Sequence, residues 1–296
     1  MTDEATPPFK REVLQLFDQY VHGVISRRGF LESAAKYTAG AAGAVATLTA
    51  LAPNFARAQT AADDSRLITT RVDIASPDGN GTIKAYLVKP AAVKTKLPVV
   101  VVVHENRGLN PHIEDIARRV ALDGYIALAP DALTTLGGYP GNEDDARALF
   151  QKLDQPKTRN DFVAAADYAR NLSGSTGHVG VVGFCYGGAI ANLLATRIPT
   201  LKAAVPFYGS PAPLSDVPNI KAELLVHMGG NDTRVNASWP DYEAALKAAG
   251  VRYAAYTYEN AEHGFNNDTT PRFKPDAAKL AWERTMALFA RTLKTA

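Results

Sequence analysis

The chain has 296 residues, 46% of them hydrophobic, and its 32 Lys and Arg against 30 Asp and Glu give a formal net charge of +2. So even a balance raises no field that would draw nucleic acid or anionic lipid as a partner. The single cysteine, Cys185, excludes an intramolecular disulfide and a thiolate metal cluster, and a chain of this size buries an adequate core without either.

The first residues differ in character from the rest. Ser26-Arg27-Arg28-Gly29-Phe30-Leu31 precedes an Ala/Gly/Thr-rich stretch, roughly from Ala34 to Ala52, which runs into Ala56-Arg57-Ala58 with Gln59 next. A charged n-region, a weakly apolar middle and a small-residue exit are the parts of an export signal. The paired arginines resemble the twin-arginine signal of bacteria, from which Glu32 departs because a lysine is common there. Lys36 and the glycines make the stretch a poor permanent membrane span. The expectation is a precursor that engages the twin-arginine export machinery and is cleaved after Ala58, so that 1–58 is the signal and 59–296 a single periplasmic or secreted domain. Without a working signal the protein is cytoplasmic. The competing reading is an amphipathic helix from about Pro8 to Tyr20 and then an Ala-rich helix, both packed on the domain.

After residue 60 the hydrophobic periods alternate. Thr70 to Ile74 and Ile83 to Val88 are β-rich runs around Ser76-Pro77-Asp78-Gly79-Asn80-Gly81, a hairpin pattern. Leu97 to Val103 is a continuous apolar run of a strand buried on both faces. Ile113 to Leu122 has helical spacing, and Gly124 to Pro130 is a short strand. Helices are expected over Asp144 to Leu153 and Phe162 to Leu172, joined through Pro156. The strand Val179 to Gly183 and the helix Ala189 to Ala195 follow, then strands at Lys202 to Phe207, Ala222 to Met228 and Tyr253 to Tyr258. Tyr242 to Ala249 and Ala277 to Leu293 supply the remaining helices. Such alternation predicts an α/β fold with a mainly parallel central sheet, helices on both faces and an antiparallel N-terminal hairpin.

Sites in such sheets collect at the carboxyl ends of the strands. Gly183-Phe184-Cys185-Tyr186-Gly187-Gly188 lies between a predicted strand and a predicted helix, a G-x-S-x-G nucleophile elbow with cysteine in the serine position. The turn lifts the sulfur to a helix N-terminus, whose positive end favours thiolate. Asp232 follows the next-but-one strand and His263 the last, so nucleophile, acid and histidine come in the chain order of α/β-hydrolases. His263 is the expected proton carrier and Asp232 the group that fixes its tautomer. Of the other histidines, His22 falls in the signal, His227 in a strand core, His178 at the wrong edge of the sheet and His112 at a helix start. His104 is expected to support the loop below the oxyanion hole. His104-Glu105-Asn106-Arg107-Gly108 ends the valine strand, which makes the backbone N–H groups of Tyr186 and Asn106 the expected oxyanion donors and sets Glu105 near the thiol.

These residues resemble the dienelactone hydrolase family of α/β-hydrolases, over about residues 70 to 292. The resemblance implies a Cys-His-Asp triad that hydrolyses an ester or lactone through a thioester, with no metal or organic cofactor. It also implies that Glu105 interacts with the resting thiol and helps deprotonate it when substrate arrives. Family members acting on dienelactone hold its carboxylate with arginines, one of them shortly after the catalytic histidine. Here Asn266-Asn267 stand at that place and the next arginine is Arg272, which leaves Arg107 and Arg147 as the candidates for substrate binding. The alternatives are a broad carboxylesterase for short acyl or aryl esters with the same triad, and a binding protein on a hydrolase scaffold. A thiol redox role lacks a resolving cysteine, and no H-E-x-x-H motif supports a metal hydrolase.

Overall fold

The computed structural model describes residues 9–294; Pro8, the expected start of the N-terminal helix, lies outside the described residues. Eight strands form one sheet: β1 (Leu67–Ser76), β2 (Gly81–Pro90), β3 (Leu97–Val103), β4 (Ile126–Pro130), β5 (Ser175–Phe184), β6 (Ala203–Phe207), β7 (Glu223–Gly229) and β8 (Tyr253–Tyr258). Their order is β1-β2-β4-β3-β5-β6-β7-β8. The β1–β2 hairpin and the β2–β4 pair are antiparallel, and all later pairs are parallel. The valines of β3 show why it sits centrally. Val100 and Val102 enter the core on one face, Val99, Val101 and Val103 that on the other, and all five are fully buried.

The residues expected to form a signal build three helices, α1 (Arg11–Val21), α2 (Arg27–Ala34) and α3 (Gly40–Ala50). The spacing of Val13, Leu14, Phe17, Tyr20 and Val21 gives α1 one apolar stripe, and this stripe packs on Phe30, Ala34, Leu48 and Leu51 as a core of its own. Ser26 caps α2, its Oγ accepting from the Gly29 N–H at 3.0 Å, so the arginine motif is also a helix start. Polar contacts tie this unit to the domain. Arg27 pairs with Asp144 at 2.5 Å, and the Asn54 N–H donates to the Thr269 carbonyl at 2.7 Å. Beyond the expected cleavage point, the N–H groups of Gln59 and Thr60 both donate to Asp115.

Seven more helices cover the sheet: α4 (Pro111–Leu122), α5 (Glu143–Phe150), α6 (Gln155–Asn171), α7 (Tyr186–Arg197), α8 (Thr233–Asn236), α9 (Trp239–Ala248) and α10 (Pro275–Leu293). The core on one face takes in α4 and α10, and the core on the other takes in α6, α7 and α9. Pro156, expected to join two helices, lies inside the first turn of α6. Asp154 caps that turn, accepting from the Lys157 N–H, and a proline there forfeits no hydrogen bond. Among the described residues no helix is long and apolar enough to cross a membrane.

Candidate active site

The carboxyl ends of β3, β5, β7 and β8 bring the expected residues together. Cys185 follows β5 with φ 55° and ψ −110°, a conformation that a non-glycine residue adopts only under strain. Its neighbours make that turn feasible. A Cβ on Gly183 would stand 1.9 Å from the Gly187 carbonyl oxygen, and one on Gly187 would stand 2.2 Å from that of Val103. Tyr186 is the first residue of α7, so its N–H has no partner within the helix and points out of the N-terminal end.

Asp232 caps α8 with one carboxylate oxygen, Oδ1, which accepts from the Val235 N–H at 3.1 Å. The other, Oδ2, lies 2.6 Å from His263 Nδ1 and accepts its proton. His263 Nε2 is buried with no hydrogen-bond partner among the described residues and is left for the sulfur. Burial opposes charge on every member of this group, but the charges answer one another. Against burial, the adjacent His22 and His263 bring the Cys185 thiol down to about 5. Against burial, the Cys185 thiolate and Asp232 push His263 up to about 10. Asp232 is likewise held low by its bond to His263, although burial raises it. Both shifts favour a thiolate beside an imidazolium.

The loop after β3 is held from below by His104. Its Nε2 accepts from the Ala132 N–H at 3.1 Å, which leaves the proton on Nδ1 to donate to the Glu105 carbonyl at 2.6 Å. Glu105 lines the same cavity as Cys185 and His263, and its Oε2 accepts from Asn267 Nδ2 at 3.3 Å. His227 is a core residue as expected, its ring nitrogens bonded to Thr285 and Tyr258.

Arg107 and Arg147 have other partners than an open pocket. Arg107 donates to the Asn106 side chain at 2.6 Å and to the Val21 carbonyl, and pairs with Glu143 at 3.5 Å. Arg147 donates to the Tyr20 carbonyl at 2.8 Å, and its guanidinium carbon lies 4.0 Å from the centre of the Tyr20 ring. Asn106 donates through Nδ2 to the Val21 carbonyl at 2.8 Å. All three bind the end of α1, which crosses the site.

Four residues at the site escape the sequence reading. His22, just past α1, places Nε2 3.2 Å from Cys185 Sγ. Arg234 stands 3.0 Å from that nitrogen and donates to Asp18 at 3.2 Å. With His22, Cys185 and His263 within 4.8 Å of one another, a metal ion would have to sit beside this guanidinium, which opposes it. Tyr208, at φ 38°, sets its ring 4.9 Å from that of His263. Arg272 lies under the His263 turn, where a Cβ on Gly264 would come within 3.1 Å of its Cζ. Its Nε and Nη1 are buried without a hydrogen-bond partner among the described residues, and it lines the cavity that holds Cys185. That cavity measures about 430 Å³ and is walled on the far side by Phe17, Tyr20, Leu48 and Phe55.

A mainly parallel eight-stranded sheet covered by helices on both faces, with a strained cysteine turn after β5, is an α/β-hydrolase-type fold. Residues 83–293 match the family model described as the dienelactone hydrolase family, and the chain belongs to that family; it is a hydrolase. Residues 1–37 match a second model, described as YqhI-like. A candidate carboxymethylenebutenolidase of Salmonella typhimurium is 34% identical, the match covering 73% of this chain and 85% of that one. The crystal structure of a candidate dienelactone hydrolase from Klebsiella pneumoniae superposes with a TM-score of 0.66 at 29% identity, covering 76% of this chain and 99% of that one. A thermostable esterase from Pseudomonas putida shares the fold with a TM-score of 0.66 at 18% identity, over 98% of this chain and 99% of that one, so the shared fold takes in the N-terminal helices.

Proposed function

We propose that the protein hydrolyses a small lactone or ester bearing a carboxylate, of the carboxymethylenebutenolide type, with Cys185 as nucleophile. The observation that carries this reading is the strained elbow of Cys185 beside a His263–Asp232 pair bonded at 2.6 Å. The thiolate attacks the acyl carbon, and the developing oxyanion takes hydrogen bonds from the N–H groups of Tyr186 and Asn106. The acyl C–O bond breaks as the S–C bond holds, and the leaving oxygen takes the proton of His263. Water then cleaves the thioester with His263 as base and Asp232 steadying its charge. Glu105 stands in the same cavity as the carboxylate that would take the proton from any thiol form of Cys185 when substrate binds.

A substrate carboxylate has a candidate partner in Arg272, which lines the ligand-sized cavity and keeps two buried nitrogens without a hydrogen-bond partner among the described residues. Arg107 and Arg147 fill that role less directly, since both already hold α1. The apolar wall of Phe17, Leu48 and Phe55 favours a second reading, a carboxylesterase for short acyl or aryl esters. The deciding measurement is turnover of a carboxylated dienelactone beside that of a short p-nitrophenyl ester. Preference for the lactone supports the first reading. Hydrolysis of the simple ester alone keeps the triad and discards the carboxylated substrate.

For location, we propose export by the twin-arginine route on the strength of Ser26 to Leu31, a reading that requires α1 to α3 to undock from the domain and so competes with their retention there. Replacing Arg27 and Arg28 by lysine is expected to leave the protein in the cytoplasmic fraction, and unchanged fractionation removes the proposal.

A further inference from the structure

We propose that His22 is a working member of the active site: its Nε2, 3.2 Å from Cys185 Sγ, holds the thiolate beside His263, and α1 to α3 stay on the mature enzyme as its cap. This rests on the reading of Cys185 as nucleophile and goes beyond it.

The imidazole is placed by several groups at once. Its Nδ1 donates to the Asp18 carbonyl at 2.7 Å, with the Asp18 carboxylate 3.1 Å away, so Nε2 is the atom turned to the sulfur. The charged groups around it are Asp18 on its own helix, Arg234 on α8, His263 after β8 and Cys185 itself, with Glu105 and Arg107 on the same cavity. Burial lowers His22, but the thiolate and Asp18 outweigh it and the net shift is upward. Asp18 is held well below the usual carboxylate range, against burial, mainly by its bond to His22. An Asp18–His22–Cys185 line therefore runs beside the Asp232–His263–Cys185 line, the two rings meeting edge to face with their centres 4.8 Å apart. When the thioester forms, the sulfur loses its charge and His22 its anionic partner. The step it serves is the one before, keeping sulfur deprotonated for attack.

Retention of the cap follows from the same geometry. The helices carry their own apolar cluster, close the far wall of the cavity, and are bonded to Asn106, Arg107, Arg147, Asp144 and Arg234. Cleavage after Ala58 would remove all of this with His22.

The test is the pH dependence of Cys185 alkylation by iodoacetamide in the full chain, with thiolate absorbance read in parallel, for wild type, His22→Gln and Asp18→Asn. His22→Gln is expected to raise the midpoint by about one pH unit, so that about tenfold less thiolate is present on the acid side. Asp18→Asn, which leaves the ring in place, is expected to move it in the same direction by less. Circular dichroism that matches wild type separates this from misfolding, and if His22→Gln fails to fold, Asp18→Asn carries the test. A profile that superimposes on wild type in the folded variants overturns the inference. So does fully active enzyme whose intact mass begins at Gln59. Cys185→Ala, assayed alongside, keeps the two readings apart. If it still hydrolyses ester the nucleophile assignment falls, whereas a dead Cys185→Ala with an unchanged His22→Gln profile removes only the role of His22.

Discussion

Two imidazoles meet at Cys185, and they are held in different ways. His263 belongs to the sheet: it sits just beyond β8, buried, with Asp232 at 2.6 Å and the ring of Tyr208 behind it. His22 belongs to a separate helical unit whose apolar cluster does not merge with the two cores of the sheet. Its position depends on side-chain contacts across a seam, from Arg234, Asn106, Arg107 and Arg147. The difference teaches where the chemistry is rigid and where it is adjustable. A strand end inside a close-packed core fixes a ring, whereas a cap held by polar contacts can loosen without the sheet unfolding.

The sheet side is where disruption costs most. Cys185→Ala is expected to lower ester hydrolysis on the order of 10⁴-fold or more, measured as kcat/KM on a short p-nitrophenyl ester. The sulfur's own titration is a companion measurement. With the thiol down at about 5, alkylation in wild type is level at neutral pH and falls as the pH drops through that value, because protonation removes the nucleophile. A thiol that alkylates only above pH 8 contradicts the resting ion pair. Asp232→Asn comes next, at about 10²- to 10⁴-fold in kcat, since an amide can present its NH₂ to Nδ1 and favour the wrong tautomer. Loss of less than tenfold would leave His263 without need of its carboxylate and dissolve the contrast between the two histidines.

The sequence makes one of these two regions legible and hides the other. Cys185, Asp232 and His263 each follow a recognisable strand, so local patterns order them and the α/β fold brings them together. The hairpin, the valine strand and the parallel sheet are readable for the same reason: their periods are local. His22 reaches Cys185 across 163 positions of chain, and no local pattern carries such a contact. Its surroundings also read as something else, because Ser26 to Leu31 fits both a signal motif and a capped helix start. The clue present was the apolar stripe Val13, Leu14, Phe17, Tyr20 and Val21, which needs a partner to bury against. Arg272 was hidden by expecting a carboxylate partner close behind His263. The chain instead passes through a buried turn of Asn266 to Thr270 before Arg272 folds back under Gly264.

Arg272 lies between the two regions, touching the His263 turn on one side and standing 5.1 Å from the ring of Phe17 on the other. Arg272→Gln is expected to raise KM for a carboxylated lactone by ~10- to 100-fold, the loss of a charged hydrogen bond worth roughly 1.5–3 kcal/mol. KM for a neutral p-nitrophenyl ester should move little. Equal changes for both substrates would mean that Arg272 shapes the wall and does not read a carboxylate.

The smallest effect expected is on the seam itself. Arg147 supports the end of α1 by a hydrogen bond to the Tyr20 carbonyl and by its guanidinium over the Tyr20 ring. Arg147→Ala removes both, at a cost of about 1 kcal/mol to the docking of the cap. The sheet cores contain neither contact, so their stability should stay as it was. Hydrogen exchange reads the two regions separately: amides of α1 to α3 are expected to exchange about fivefold faster in Arg147→Ala, and those of β3, β5 and β6 at the wild-type rate. If protection falls together in cap and sheet, the helices and the sheet form one cooperative unit, and His22 is then as firmly placed as His263. If it falls in the cap alone, motion of this unit becomes a route by which substrate enters and His22 leaves the sulfur.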